Sequence, residues 1–257
     1  MQRQLTSQRA VKMFENSDTD WETYGAENPY FGVISNEKFL SENLSEESKL
    51  DFWQSGQNDI DVVFRNIKEH IDPNFQPVRA LDFGCGVGRL LFAISTRCEH
   101  ATGVDVSPSM LAEAQREATK KAIDNVSFIQ TRDCAELQEN TFCLVHSYIV
   151  FQHIPEDRGY AILDKILASL RSGGVGVLHF TFSNSRFWYW KLIRRIPFNK
   201  QLRNLIQGKP LNAPHMQMNE YDLNTIMKRL WSLGVSNCHV VLTDHGVLGA
   251  IIYLKKG

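Results

Sequence analysis

No run of apolar residues in this chain approaches the roughly 18 that a membrane-spanning helix requires, so no span is expected. Behind Met1 the segment Met-Gln-Arg-Gln-Leu-Thr-Ser carries no apolar signal region, so export is not expected and a cytoplasmic location is. The cysteines Cys85, Cys98, Cys134, Cys143 and Cys238 are odd in number, and none stands in a Cys-x-x-Cys pair. They read as reduced, mostly buried thiols, not as a disulfide frame or zinc site, and no metal is expected. Internal repeats and low-complexity tracts are absent. A net charge of −1 leaves no broad basic face, which disfavours nucleic acid as a partner.

What is present suits one large domain, or one domain with elaborations. The chain has 257 residues, with 43% hydrophobic and 22% charged, ordinary values for a globular protein. Charge is unevenly spread. Glu15 to Asp61 holds twelve acids and two lysines, whereas Arg186 to Lys209 holds seven cations and no acid. Each segment alone reads as a solvated face, and the two together carry the charges to attract each other across a cleft.

The most informative stretch is Ala80–Leu90, an apolar strand running into a glycine loop and a helix. A dinucleotide fingerprint needs glycines at the first, third and sixth loop positions. Here they are Gly84, Gly86 and Gly88, and the sixth position is Arg89. Asp82 stands just before the loop, where a pyrophosphate would be repelled. A carboxylate there suits a cationic or hydrogen-bond-donating ligand.

From Arg79 onward β-rich runs alternate with helical ones, which implies right-handed βαβ units and a parallel sheet. Strands are expected at Arg79–Phe83, His100–Val106, Val126–Thr131, Phe142–Val150 and Val175–Phe182. Helices are expected at Gly88–Arg97, Ser107–Ala122 and Asp157–Ser169, the second with Ser107 as N-cap and Pro108 at the first helical position. Gly173-Gly174 is expected to end the third helix. Val235–Thr243 and Val247–Leu254 flank the turn signal Asp244-His245-Gly246 and read as an antiparallel hairpin. Residues 1–75 form a helix-prone N-terminal extension or cap, 76–257 the core, and 183–220 a lid-like insertion after strand 5.

The Asp-x-Gly-x-Gly-x-Gly pattern over 82–88 resembles the first motif of class I S-adenosylmethionine-dependent methyltransferases of the bacterial small-molecule type. The resemblance covers residues 76–182 well. It implies an α/β, doubly wound, Rossmann-like fold: a mostly parallel seven-stranded sheet ending in an antiparallel hairpin. It also implies S-adenosylmethionine as cofactor, with binding by Asp82, the three glycines and residues at the strand ends. Asp105, closing the second strand, would accept both ribose hydroxyls, and capping the next helix is the alternative. Val106 and Met110 would flank the adenine, or serve as ordinary core. Asp133 would take the adenine amino group and the Cys134 amide would donate to the ring, unless Asp133 is simply an exposed loop acid. His146, Ser147 and Tyr148 would pass beneath the methionine part. Phe142-Cys143-Leu144-Val145 departs from the family's usual Phe-Asp-Leu-Val and costs a structural hydrogen bond.

The implied activity is methyl transfer to an oxygen or nitrogen of a small-molecule acceptor. A hydroxyl acceptor needs a base, and His153 in Phe-Gln-His-Ile-Pro stands just beyond the fourth strand. It either orients or deprotonates the acceptor, or braces its loop; His215 is a second candidate. The fourth strand lacks an Asn-Pro-Pro-Tyr ending, which disfavours adenine or glutamine amide nitrogen, and no Pro-Cys pair marks a cytosine-C5 nucleophile. The basic-aromatic segment 186–209 has three readings: a lid, a recognition element for an acidic acceptor, or a peripheral membrane contact. A lipid-linked or saccharide acceptor, or a cofactor-binding protein without catalysis, are the alternatives. Tyr30, Phe31 and Trp53 either line a cover over the cofactor or staple the extension to the core.

Overall fold

A computed structural model of the chain describes residues 17–183 and 213–257. The basic-aromatic segment 186–209, and with it most of the expected insertion, lies outside the described residues. The strands are β1 (Arg79–Phe83), β2 (His100–Asp105), β3 (Val126–Gln130), β4 (Phe142–Ser147), β5 (Leu170–Ser183), β6 (Val235–Asp244) and β7 (Leu248–Lys256). They form one sheet in the order β3-β2-β1-β4-β5-β7-β6. Strands β1 to β5 pair in parallel, and β7 lies antiparallel between β5 and β6. The strand order reverses between β1 and β4, which opens a crevice at their carboxyl ends.

The helices are α1 (17–27), α2 (Pro29–Val33), α3 (Glu46–His70), α4 (Arg89–Ser95), α5 (Pro108–Lys120), α6 (Glu156–Ser169) and α7 (Leu223–Ser232). Local chemistry sets their starts. The Ser107 hydroxyl accepts the Met110 amide at the head of α5, with Pro108 in the first turn. Ser45 and Ser48 form a reciprocal capping box on α3. Because every position of β4 is buried, helices must cover both faces of the sheet. Ile60, Val63 and Ile67 of α3 join Leu91 of α4, Leu111 of α5 and Val177 of β5 in one core. Ile162, Leu163 and Ile166 of α6 join Ile226 and Leu230 of α7, Leu178 and Tyr221 in the other. Thus α3, inside the expected extension, is a sheet-covering helix sharing a core with residues beyond 76.

Two strand ends differ from expectation by more than two residues. Leu170 follows α6 directly, so Gly173-Gly174 lies within the β5 run, and the β4–β5 register shifts there between Phe142 and Leu144. Strand β4 stops at Ser147, not Val150, because Ile149 takes φ 57° and leaves the ladder. No helix among the described residues is long and apolar enough to cross a membrane.

Candidate functional site

The crevice at the switch point is a cavity of about 560 Å³, ordinary for a small-molecule site. Its floor is the β1 loop from Asp82 to Gly86. Gly84 and Gly86 have φ of 75° and 52°, conformations L side chains rarely adopt. A Cβ on Gly84 would lie 2.3 Å from Val150, and one on Gly86 2.7 Å from Val33. Gly88, at φ 92°, caps α4 and faces the Phe92 ring, outside the cavity walls. It shapes the turn.

Asp105 closes β2 on the cavity wall, with Val106 and Met110 beside it. Its Oδ2 accepts the Gly86 amide at 2.9 Å and its Oδ1 the Ser107 amide at 2.9 Å. Each oxygen keeps a further lone pair, and burial pushes the carboxyl above its ordinary range despite hydrogen bonds from the Ser107, Gly86 and Val106 amides. Asp82 is also on the wall, but its Oδ1 accepts from His146 Nδ1 at 2.8 Å, both groups being buried. That pair stiffens the floor between β1 and β4.

The expectations for Asp133 and Cys134 need correction, because neither reaches the cavity. Asp133 is exposed, and its Oδ1 accepts the Ala135 amide at 3.2 Å, an Asx turn. The Cys134 amide donates to Thr131 Oγ1 at 3.0 Å, and its side chain is in the core. Thr131 and Arg132 form the wall at this strand end instead. Ser147 is likewise off the wall, with a buried Oγ that lacks a hydrogen-bond partner among the described residues.

His153 does line the cavity. However, its Nδ1–H donates to Gln217 O at 2.7 Å and its Nε2 accepts from Gln152 Nε2 at 3.1 Å. Burial, opposed by the Gln217 hydrogen bond, lowers its pKa to about 4. A neutral ring with both nitrogens engaged leaves no lone pair for an acceptor, so bracing fits His153 and proton abstraction does not. The residues it braces are those around Gln217, which place Met216 and Met218 on the wall. His215, the second candidate, is not on the wall.

Helix α1 closes the roof, a role the sequence reading did not resolve. Trp21 packs edge-on against the His153 ring at 4.8 Å, and Ser17 Oγ donates to His153 O at 3.1 Å. Asp18 accepts from Arg158 at 2.6 Å and from Arg132 at 2.7 Å. At the other end Glu22 accepts from Ser107 Oγ at 2.7 Å and Ser109 Oγ at 2.6 Å. Burial raises the Glu22 carboxyl, but these bonds and the Ser109 amide hold it below the usual range. Asp18, Trp21 and Glu22 stand at i, i+3 and i+4, a one-faced pattern that was a readable signal. Tyr30, Phe31 and Trp53 form a separate aromatic cluster with Phe39 and Phe52 and act as staples. Across the cavity from Asp105 the wall is Tyr148, His245 and Val247. Among the described residues, no three His, Cys, Asp or Glu side chains converge to hold a metal.

Residues 80–174 match a protein family described as "Methyltransferase domain". Over 56 residues the chain is 39% identical to aklanonic acid methyltransferase DauC of Streptomyces sp. strain C5, covering 20% of this chain and 24% of that protein. The chain spans between 24% and 37% of the length of the curated relatives it matches. Magnesium protoporphyrin IX methyltransferase (ChlM) from Synechocystis PCC 6803, solved with bound SAM, is 17% identical, with a TM-score of 0.60 over 94% of this chain and 97% of that one. The N-methyltransferase NodS from Bradyrhizobium japonicum WM9, solved with S-adenosyl-L-homocysteine, is 12% identical, with a TM-score of 0.58 over 94% of this chain and 100% of that one. At such identities the likeness establishes the fold.

Proposed function

We propose that this chain, whose residues 80–174 match a methyltransferase domain family, is a class I S-adenosylmethionine-dependent methyltransferase that moves a methyl group from that donor to an oxygen or nitrogen of a small-molecule acceptor. The observation that carries the reading is the form of the cavity. It has a carboxylate with free lone pairs at β2, a floor where Gly84 and Gly86 present bare backbone, and Trp21, Met216, Met218 and Val247 as apolar wall residues. When bound, S-adenosylmethionine supplies a methyl on a sulfonium, which leaves as a neutral thioether.

The protein's part is binding, alignment and exclusion of water. Asp105 holds the ribose hydroxyls, and Val106 and Met110 flank the adenine. Gly84 and Gly86 admit the amino-acid part close to the backbone, over the Asp82–His146 pair. Ser147 stands behind this floor. Asp18, held by Arg132 and Arg158, keeps α1 across the cavity, and the Trp21 ring shields the reacting end from solvent. His153 keeps the Met216–Met218 wall in place.

Titration calorimetry with S-adenosylhomocysteine and with NAD, followed by transfer of labelled methyl to a panel of small hydroxyl and amine compounds, tests this. The reading expects binding of the first ligand only, and label on a small molecule. Tight binding without transfer to any panel member would favour a non-catalytic cofactor-binding protein. Binding of NAD would overturn the cofactor assignment.

A further inference from the structure

We propose that Tyr148 and His245 form the proton-accepting pair of the acceptor half of the cavity, which narrows the methyl-transfer reading on which this rests to an oxygen nucleophile. Sheet order separates the two halves. Asp105 ends β2 on one side of β1, whereas Tyr148 follows β4 and His245 sits in the β6–β7 turn on the other. With the ribose at β2, the β4 and β7 side is where the methyl and its receiver meet.

The pair is built for proton movement. Tyr148 Oη and His245 Nε2 are 2.9 Å apart, with the rings edge-on at 5.8 Å. Burial, reinforced by Asp59 and opposed by Arg89, pushes the phenol up to about 12. Tyr148 therefore stays neutral and relays a proton; it does not store a negative charge. His245 is exposed on its turn and can exchange a proton with water.

A third ring steadies the arrangement. His179 lies 5.3 Å from Tyr148 and 5.8 Å from His245, with Nε2 hydrogen-bonded to Thr243 Oγ1 at 3.0 Å. Burial lowers it to about 4, so it is neutral and does not oppose a charge on His245. Gly249 makes room for it, since a Cβ there would lie 2.5 Å from His179 Nε2. By contrast His153, the other histidine on the described wall, has both nitrogens engaged within the protein.

In the proposed step the acceptor hydroxyl oxygen forms a bond to the donor's methyl carbon. The carbon–sulfur bond breaks with its electron pair going to sulfur. The hydroxyl proton passes to Tyr148 Oη as the tyrosine's own proton passes to His245 Nε2. The positive charge lost at sulfur thus reappears on the imidazole, and water then removes the proton.

Nitrogen-15 histidine NMR on the full chain tests the pair without any acceptor. His245 is expected as the Nδ1–H tautomer with Nε2 accepting, and Tyr148→Phe should shift only that Nε2 signal among the wall histidines. An Nε2–H donating to Tyr148 would overturn the proposal. Kinetics with phenol, 4-nitrophenol and aniline form the second arm. Tyr148→Phe and His245→Asn should each slow phenol methylation about a hundredfold. At a pH where 4-nitrophenol is ionised, they should leave its methylation within about fivefold. Equal loss on both phenols would mean a structural role and reject the relay. A wild-type protein that binds the donor but methylates only aniline, or none of the three, would reject the oxygen restriction and leave cofactor binding standing.

Discussion

Replacing Asp105 with asparagine separates its roles in binding and in folding. Its two oxygens each accept one backbone amide at 2.9 Å. Asparagine must set its NH₂ against one of those N–H groups whichever way it turns, leaving a buried donor unpaired at a cost of about 1–3 kcal/mol. An opposing effect exists. Burial holds the carboxyl above its ordinary range. Such a group contributes stability only below its unfolded pKa, and that contribution is lost as pH rises through the folded value. At neutral pH the charge is a penalty, and asparagine removes it. The two effects offset in the cofactor-free protein, so its Tm should move by less than about 4 °C. Binding has no such offset. Hydrogen bonds from ribose hydroxyls to a charged acceptor contribute about 1.5–3 kcal/mol, so S-adenosylhomocysteine affinity should fall about 10- to 150-fold. Calorimetry and thermal unfolding on the same preparations read both quantities. Wild-type affinity should also decline as pH falls through the raised carboxyl value, whereas the variant's stays flat. Affinity within about twofold of wild type would refute the ribose role; a Tm loss beyond about 10 °C would show that the carboxylate mainly holds the loop.

Three further outcomes follow from packing and burial. His153 and His179 are both lowered from 6.5 to about 4 by burial. The unfolded chain therefore gains protons between pH 6.5 and 4 that the folded one refuses. Each ring should remove up to about 3 kcal/mol of stability across that window, with no further slope below it. Urea unfolding at stepped pH checks this, and a flat profile would contradict the burial of both rings. Gly56→Ala would place a Cβ 2.3 Å from Arg89 O, between α3 and α4. The gain of about 1 kcal/mol in helix propensity is set against about 1–3 kcal/mol of overpacking, a net loss of up to about 2 kcal/mol, so Tm should fall by up to about 6 °C; a rise would mean that the helices separate freely. Asp18→Asn removes the charge and one of the two acceptors by which α1 holds Arg132 and Arg158, and S-adenosylhomocysteine should dissociate up to about tenfold faster by stopped flow. An unchanged rate would deny α1 its part in retaining the ligand.

Much of the fold was legible because it is written in local chemistry. The alternation of apolar strands and helices, the Ser107-Pro108 cap and the Asp244–Gly246 turn each reflect neighbours within a few residues. The glycine loop and Asp105 were legible for the same reason, since a strand end, a tight turn and a helix start impose their residue types locally. Asp133 and Cys134 lie off the cavity wall because of how the 131–135 loop turns. Thr131 Oγ1 captures the Cys134 amide and Asp133 folds onto Ala135, neither of which the residue order announces. His153 was readable as a wall residue. That Gln152 and Gln217 would take up its ring nitrogens was not.

The sequence by itself determined the sheet, the glycine loop and the carboxylate at the end of β2, because short-range sterics and capping decide those. Tertiary structure alone decided what closes and lines the cavity. Asp18 meets Arg132 and Arg158 across 114 and 140 residues, and Tyr148 meets His245 across 97. These contacts exist because the parallel sheet, finished by its antiparallel hairpin, brings the ends of β3, β4 and the β6–β7 turn to one edge. No local propensity encodes that convergence.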